Sequence, residues 1–267
     1  MKNPKILTIL SDFGMVDPYV GAMKGVISQI DSAIATIDLT HEIPPQNIEA
    51  ARFCLLSTYQ YFPQGTVHVA VVDPGVGSSR RAIALQIPGA FLVGPDNGLF
   101  SGILAQEPVI AAVELTNPQY WRTPSPSQTF HGRDIFAPVG AYLAKGIPIE
   151  KLGNAIAPET LVQFSQAECQ ITHRGIQGRI QYIDRFGNLI TNIPGDLVRG
   201  KPWFVDLNDR QIPSVQTYAN ASVGSAIALV GSHDYIEIAI NQGSAQKELQ
   251  LNWSATIQVI VESVQTP

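Results

Sequence analysis

A change of hydrophobic period near residue 165 constrains this 267-residue chain more than any other feature. Before that point, apolar runs typical of buried strands alternate with stretches whose apolar residues recur at helical spacing. After it, short strand candidates follow one another, separated by Gly, Asn, Asp and Pro. We therefore predict an α/β domain over residues 1–165, with a central, mostly parallel sheet, and a smaller all-β barrel domain over residues 166–267.

The individual elements follow from this patterning. In the first half, strands are predicted at 6–10, 34–39, 66–72, 82–87, 91–93 and 109–115. Helices are predicted after Asp17-Pro18, after Pro44-Pro45 and over 134–145. In the first of them, Asp17 is expected to be the N-cap and Pro18 to occupy the first helical position. In the second half, strands are predicted at 175–184, 189–193, 203–207, 225–229, 235–240 and 256–262.

Composition and charge restrict the class of function. Hydrophobic residues make up 45% of the chain and charged residues 15%, which is typical of a folded globule. The formal net charge is −5 without a dense Lys/Arg run, so we predict no nucleic-acid partner. No segment reaches the about 20 apolar residues that a membrane span needs. Because Cys54 and Cys169 form no CxxC pair, we expect reduced thiols and a cytoplasmic protein.

Aspartates stand beside glycines directly after several predicted strands. Asp12, Asp73, Asp96 and Asp134 all occur in such turns. In a parallel α/β sheet, ligands bind outside the carboxyl ends of the strands, so these turns are expected to meet at one edge. Asp12 is expected to be free to accept ribose hydroxyls, since Asp17 is predicted to cap the first helix. Each turn alone is equally well explained as an ordinary Asp–Gly turn.

A candidate acid–base group lies in the turns around Asp73 and His131. Asp73 comes seven residues before Arg80 across a Gly-rich turn, and from the residues alone either Arg80 or Arg81 faces the site. A plain salt bridge explains the pair equally well. His131 lies in a loop directly before a predicted helix, whereas His41 has no supporting neighbour in the sequence.

Several common catalytic motifs are absent from the sequence. The chain contains no GxxxxGK[ST] phosphate loop, no HExxH and no GxSxG, although the many strand-end carboxylates leave a magnesium site open. In the second half, the turn around Phe186 and Asn188 stands between two predicted strands. The Asn188 amide is able to hydrogen-bond to the edge of a nucleobase, and the Phe186 ring is able to stack on the base. An ordinary turn has the same composition.

Taken together, seven segments resemble one family closely. They are SDFG with DPYVGAMKG, IDLTHEIPPQNIEAA, VVDPGVGSSRR, GPDNGLF, TFHGRDIFAPVGAYLA, YIDRFGNLITNI and YIEIAINQGSA, and they span Ser11 to Ala245 in the family's order. The family is the S-adenosylmethionine (SAM) hydroxide adenosyltransferases, also called SAM hydrolases. Adenosyl-fluoride and adenosyl-chloride synthases are its relatives. VDPGVG, FHGRDIF and DRFGN in one chain are a specific combination.

The resemblance implies a fold, an activity and an assembly. The family's fold is an N-terminal α/β domain and a C-terminal β-barrel, which matches the change of period. Its activity is the cleavage of SAM with water to adenosine and L-methionine, with no cofactor and no metal. An Asp–Arg–His trio handles the water, and the matching residues here are Asp73, Arg80 and His131. The family also implies a homotrimer with each site at a subunit interface.

Six further positions match substrate-binding residues of the family. They are Asp12 for the ribose hydroxyls, Asp184 and Ser232 for the methionine amino-acid group, and Phe186, Asn188 and Tyr218 for the adenine. Gln46 stands where the halogenating relatives carry a tryptophan near the ribose. These assignments come from the resemblance and not from the spacing of the residues.

Departures from the halogenating relatives favour water as the nucleophile. Asp73 stands where the fluoride enzymes have a tyrosine, and Gly132 stands where they have a serine. A carboxylate would repel a halide ion, so the hydrolytic activity is preferred. Three alternatives stay open: a non-catalytic SAM-binding protein, a halide-using adenosyl transferase and a magnesium-dependent phosphohydrolase.

Overall fold

The chain folds into two compact units in a computed structural model that describes residues 5–164, 169–207 and 210–262. The N-terminal unit is Met1–Phe164 and the C-terminal unit is Ser165–Pro267. The domain boundary that the sequence predicts, between residues 165 and 166, lies outside the described residues. Within the described ranges, no helix has the length and apolar character to cross a membrane.

A mixed sheet forms the centre of the N-terminal unit. Its described strands are β1 (Ile6–Ser11), β2 (Ala35–Thr40), β3 (Thr66–Val71), β4 (Ala82–Ile87), β5 (Ala90–Pro95), β6 (Ala111–Glu114) and β7 (Asn154–Ala155). They lie in the order β2-β1-β3-β5-β4-β6-β7. The pairs from β2 to β5 are parallel, whereas the pairs from β5 to β7 are antiparallel. The sheet therefore has a parallel core, whereas the sequence predicts a mostly parallel sheet.

Helices pack against this sheet. The described helices are α1 (Tyr19–Ile30), α2 (Ile48–Leu56), α3 (Ser101–Leu104) and α4 (Ala137–Ala144), the last of which continues a π-helical turn at Gly132–Phe136. Met23 and Ile27 of α1 pack with alternate residues of β1 and β3 in one buried cluster, which α4 also joins. Gly140 brings α4 close to the sheet, because a Cβ atom there would lie 2.6 Å from Val69 Cγ2.

One predicted helix cap and one predicted helix start are wrong. No side chain caps the first turn of α1, which is preceded by Pro18, so Asp17 is not its capping residue. The second helix starts at Ile48 and not at Pro44-Pro45, because Asn47 is its N-cap and accepts a hydrogen bond from the Ala50 amide at 2.9 Å. An asparagine side chain at this position satisfies one of the free amides of the first turn.

An antiparallel sheet curls into a nearly closed barrel in the C-terminal unit. Its described strands are β8 (Gln170–Thr172), β9 (Gly175–Ile183), β10 (Leu189–Pro194), β11 (Trp203–Asp206), β12 (Gln211–Pro213), β13 (Ala226–Val230), β14 (Tyr235–Ile240) and β15 (Thr256–Val261). The order is β12-β11-β15-β9-β10-β14-β13, with β8 beside β9. A bridge between Ser214 and Ala228 brings the two end strands together. A short helix, α5 (Ala245–Leu249), follows β14.

The parallel strands place polar turns at one edge of the N-terminal sheet. β1 and β3 are neighbours, and Ser11 pairs with Val71 in their register. Asp12 therefore leaves the end of β1 beside the residues that lead from β3 to Asp73. This edge is where a ligand of an α/β sheet normally binds.

Candidate active site

Asp73 and Arg80 form a closed ion pair across the turn that follows β3. Arg80 Nε donates to Asp73 Oδ1 at 2.8 Å, and Arg80 Nη2 bonds the other carboxylate oxygen. The two side chains are only 6% and 10% exposed. Such a bidentate pair fixes the plane of the carboxylate, which a single surface contact would not do. Asp73 and His131 also line a cleft, so the ion pair lies beside a candidate site and not on the open surface.

His131 completes a trio with this pair. Arg80 Nη2 lies 2.9 Å from His131 Nδ1, and the arginine carbon Cζ lies 5.3 Å from the centre of the Phe136 ring. Because a guanidinium has no acceptor, it donates and Nδ1 accepts, so a neutral imidazole carries its proton on Nε2. Burial and the positive charge of Arg80 hold the pKa of His131 below its ordinary value of 6.5, against the opposing effect of Asp73 and Asp134.

Arg81 belongs to a different pair. Its Nε donates to Asp96 Oδ2 at 2.9 Å, and its Nη1 donates to Thr160 Oγ1 at 3.0 Å. The sequence alone left open which of the two neighbouring arginines faces Asp73. The structure places Arg80 there.

The loop that carries His131 is held by a buried carboxylate. Asp134 is fully buried, and its Oδ1 accepts from Arg122 Nε at 2.5 Å and from Arg133 Nε at 2.7 Å. Its Oδ2 accepts from the Ser127 amide at 2.9 Å. Burial raises the pKa of Asp134, but these hydrogen bonds outweigh it and hold the pKa well below the ordinary value. Asp134 is therefore a structural anchor for the loop and not a helix cap.

Gly77 allows the two loops of the trio to meet. Its φ is +77°, a conformation that disfavours residues with a Cβ atom, and a Cβ there would lie 2.5 Å from the Gln128 carbonyl oxygen. Gln128 precedes His131 by three residues. The glycine thus lets the turn after β3 lie directly against the loop before the π-helical turn.

A cleft of about 400 Å³ opens beside the trio. Asp12, Asp73 and His131 line it together, whereas Arg80 is not among its lining residues. Asp12 Oδ2 accepts a hydrogen bond from the Gln46 amide at 2.8 Å, and Gln46 has a φ of +65°. No hydrogen bond to Asp12 Oδ1 occurs among the residues that the structure describes. That oxygen is available to a ligand hydroxyl.

Aromatic side chains that the sequence analysis did not single out form part of this cleft. Phe13, Tyr19 and Phe130 line it, and their ring centres lie 5.2 to 5.8 Å apart. They give one side of the cleft an apolar surface. The only signals in the sequence are that Phe13 and Phe130 adjoin Asp12 and His131 and that Tyr19 begins the first helix.

A second pocket, of about 490 Å³, lies in the C-terminal unit. Phe186, Asn188 and Tyr218 line it with residues 240–243. Phe186 is 76% exposed, as expected of a ring that is presented to a partner molecule. The structure therefore brings together the three residues that the resemblance matches to adenine contacts.

Asp184 supports the turn under this pocket. Its Oδ1 accepts from the amides of Phe186 and Asn188 at 2.9 and 2.8 Å, and its Oδ2 accepts from Asn188 Nδ2 at 2.9 Å. Ser232 is exposed in the turn between β13 and β14 and is not among the lining residues of the pocket.

Tyr218 has a buried partner that the sequence did not reveal. Its hydroxyl donates to Glu237 Oε1 at 2.5 Å, and His233 Nε2 lies 3.3 Å from Glu237 Oε2. Burial, and then the bond to Glu237, raises the pKa of Tyr218. A single glutamate in the apolar strand β14 gives no local sign of this role.

The described residues contain no group of three or more His, Cys, Asp or Glu side chains that is placed to hold a metal ion. The strand-end aspartates that left a magnesium site open are instead paired individually: Asp73 with Arg80, Asp96 with Arg81 and Asp134 with Arg133. Within the cleft, Asp73 is thus bound to Arg80, and Asp12 accepts a hydrogen bond from the Gln46 amide.

Two family models match the chain. Residues 7–153 match the SAM hydroxide adenosyltransferase N-terminal domain, and residues 178–258 match the C-terminal domain of the same family. The two matches fall within the two compact units of the fold.

Individual proteins are similar over nearly the whole chain. A Thermus thermophilus protein named (R)-S-adenosyl-L-methionine hydrolase is 38% identical, over 94% of this chain and 98% of its own. A Nocardia brasiliensis fluorinase is 26% identical, over 96% of this chain and 97% of its own. The crystal structure of an uncharacterized conserved protein from Thermotoga maritima superposes with a TM-score of 0.89 at 31% identity, and covers 95% of this chain and 99% of that one.

Proposed function

The chain belongs to the SAM hydroxide adenosyltransferase family, and on that premise we propose that it hydrolyses SAM to adenosine and L-methionine. Water attacks C5′ of the ribose and displaces methionine from the sulfonium. The observation that carries the proposal is the contact of Asp73, Arg80 and His131 beside a cleft that Asp12 also lines.

The sulfonium makes this displacement feasible without activation of the leaving group. The new bond joins the water oxygen to C5′, and the C5′–S bond breaks with its electron pair going to sulfur, which becomes the neutral thioether of methionine. The proton of the water passes to Asp73. Water is a weak nucleophile, so its orientation must supply much of the rate.

The geometry of the trio suggests how the water is oriented. Arg80 holds the carboxylate of Asp73 through two bonds and holds Nδ1 of His131 through a third. The remaining His131 proton, on Nε2, is available to donate to the oxygen of the water. Asp73 then accepts the proton that the water loses, and general-base assistance of this kind contributes about 10²–10⁴-fold to a rate.

Substrate contacts are proposed on both units of the fold. Asp12 receives the ribose hydroxyls, for which its Oδ1 is available, and Phe186, Asn188 and Tyr218 hold the adenine in the second pocket. Asp184 and Ser232 are proposed for the methionine group on the resemblance alone.

Two features favour water over a halide. Asp73 places a carboxylate beside the cleft, and a negative charge there opposes the entry of a halide ion. The relatives named hydrolases are also more similar to the chain than the fluorinase is. Since the hydrolase names specify the (R) epimer at sulfur, we propose (R)-SAM as the preferred substrate.

The test is product analysis with each epimer of SAM. Purified protein is incubated with (R)- or (S)-SAM, with and without chloride, fluoride or a chelator, and the products are separated by chromatography. We expect adenosine and methionine in equal amounts, faster from the (R) epimer, unchanged by the chelator and without halogenated nucleoside. Binding without turnover would support a non-catalytic protein, and halide-dependent products would support a transferase.

We also propose a homotrimer in which each site takes residues from two subunits, as the family resemblance implies. The residues proposed for ribose and water lie in the N-terminal unit, and those proposed for adenine lie in the C-terminal unit.

A cytoplasmic location is proposed from the two cysteines and the absence of a CxxC pair.

A further inference from the structure

A series of polar contacts links Ser11, the residue before Asp12, to His41 and Asp38. Ser11 Oγ and His41 Nδ1 are 2.7 Å apart, and His41 Nε2 lies 3.1 Å from Asp38 Oδ1. Asp38 Oδ2 in turn accepts from Lys24 Nζ at 2.6 Å. We call the first three residues the Ser11–His41–Asp38 chain. None of the three lines the cleft.

The hydrogen bond between Ser11 and His41 has one consistent direction. Ser11 Oγ accepts from the Phe13 amide at 3.3 Å, so its hydroxyl proton is free to be donated to His41 Nδ1. The imidazole then carries its own proton on Nε2, facing Asp38. Burial raises the pKa of Asp38, but the bonds from Lys24 and His41 outweigh it and keep that carboxyl ionised as an acceptor.

The order Ser–His–Asp resembles a hydrolytic triad, but Ser11 cannot act as one. Ser11 is fully buried and His41 is 3% exposed, so no substrate reaches the hydroxyl. Ser11 Oγ is also used as an acceptor by the backbone. The arrangement therefore supports structure at the end of β1 and not nucleophilic attack.

The Ser11–His41–Asp38 chain supports the loop that presents Asp12. Ser11 directly precedes Asp12, and the Gly14 amide donates to the His41 carbonyl at 2.8 Å. The Gln46 amide, from the loop after β2, donates to Asp12 Oδ2. Asp12 is thus held between two loops, and His41 is the residue that joins them through both its backbone and its side chain.

We propose that His41 is a positioning residue that sets the orientation of Asp12 for the hydroxyls of a ribose. The inference rests on the proposed function, since it needs a nucleoside in the cleft. His41 touches no substrate in this account and acts only through Ser11 and the loop around Asp12.

The experiment measures how His41 variants distinguish two nucleosides. Calorimetric affinities of the full-length protein are compared for adenosine and for 2′,3′-dideoxyadenosine, which lacks both hydroxyls. His41→Gln removes the ring nitrogen Nδ1 that Ser11 bonds while keeping an amide donor towards Asp38, and Ser11→Ala removes the hydroxyl. Both variants are expected to bind adenosine about tenfold more weakly, the loss typical of a weakened hydrogen bond to a charged group. Their affinity for the dideoxynucleoside is expected to stay unchanged.

A matched control exists between the neighbouring strands β1 and β3. His68 Nδ1 lies 2.8 Å from Thr8 Oγ1, and both residues are fully buried, so His68→Gln removes an equivalent bond away from the strand end. This variant should lose stability in thermal melting as His41→Gln does, yet keep the preference for adenosine. In turnover, His41→Gln should raise KM for SAM about tenfold with little change in kcat.

The outcomes separate this inference from the proposed function. If His41→Gln and Ser11→Ala keep the full preference for adenosine, or if His68→Gln loses it equally, the positioning role is wrong while the hydrolase function stands. If the wild-type protein neither binds adenosine nor turns over SAM, the proposed function fails and this inference fails with it.

Discussion

At the residue scale, the tautomer of His131 determines which residue of the trio is proposed to orient the water and which to accept its proton. Arg80 donates to Nδ1, so the neutral ring has a donor and no free acceptor towards the cleft. In the proposed mechanism, a histidine in this state orients the water but does not take its proton. Asp73 is there proposed as the proton acceptor, and the same guanidinium holds it in place.

Replacement of Asp73 by asparagine should abolish turnover and spare binding. The amide keeps the shape of the carboxylate but cannot accept a proton, so kcat should fall at least about 100-fold. Calorimetry with adenosine should show near-normal affinity. Asp96→Asn is the matched control, because Asp96 pairs with Arg81 outside the cleft, through one carboxylate oxygen. Similar kcat losses in both variants would contradict the role of Asp73.

The pH dependence of kcat should reflect the lowered pKa of His131. The neutral ring is the active form, so kcat should be constant around neutral pH and fall only as the pH drops through a value below 6.5. The charged groups that influence this ring are Arg80, Asp73 and Asp134. A pH profile of kcat measures the pH at which activity falls. Activity that declines as the pH rises above 6.5 would show that the imidazolium is the active form.

At the element scale, long or strongly patterned segments were predictable and short ones were not. The structure has β14 at the predicted bounds, because an apolar run between turn residues is enough to locate a strand. The antiparallel β4–β5 pair departs from a mostly parallel sheet because Pro88-Gly89 alone connects the strands, which suits a hairpin. The three-residue strands β8 and β12 were missed, since they exist only through their partners.

The same limit applies to the site. Turns after parallel strands can be expected to meet, and Asp12, Asp73 and His131 do line one cleft. Glu237 and His41 could not be predicted, because Tyr218 lies 19 residues from Glu237, Ser11 lies 30 residues from His41, and their neighbours give no local pattern. The exclusion of Arg81 required the side-chain contacts themselves.

Two helix glycines should respond oppositely to alanine. Gly140→Ala places a methyl group 2.6 Å from Val69 Cγ2, so it should destabilise the protein by about 1–3 kcal/mol. Gly25→Ala in α1 meets nothing within 4 Å, so it should stabilise by about 0.5–1 kcal/mol through reduced backbone entropy. Urea unfolding of both variants measures the difference. Equal effects would mean that α4 does not lie as close to β3 as described.

At the scale of the whole molecule, the proposed residues are divided between two compact units. Each unit matches one domain of the same family, so the activity is expected to require both. A proposed homotrimer supplies several copies of each unit.

Mixed assemblies test the trimer and the shared site together. Light scattering should give a mass three times the 28.9 kDa of the chain. Asp73→Asn subunits are co-expressed with Phe186→Ala/Tyr218→Ala subunits, and each variant alone is the control. If a site takes residues from two subunits, some sites in the mixture are intact and activity returns. A monomer, or a mixture as inactive as its parts, would contradict the shared site.

The origin of the oxygen in the product tests the central claim, attack of water on C5′, most directly. Turnover of SAM in oxygen-18 water is followed by mass spectrometry of both products. The account predicts one labelled oxygen at the 5′ position of adenosine and none in methionine. Adenosine without the label, or label in the methionine, would show that water does not attack C5′.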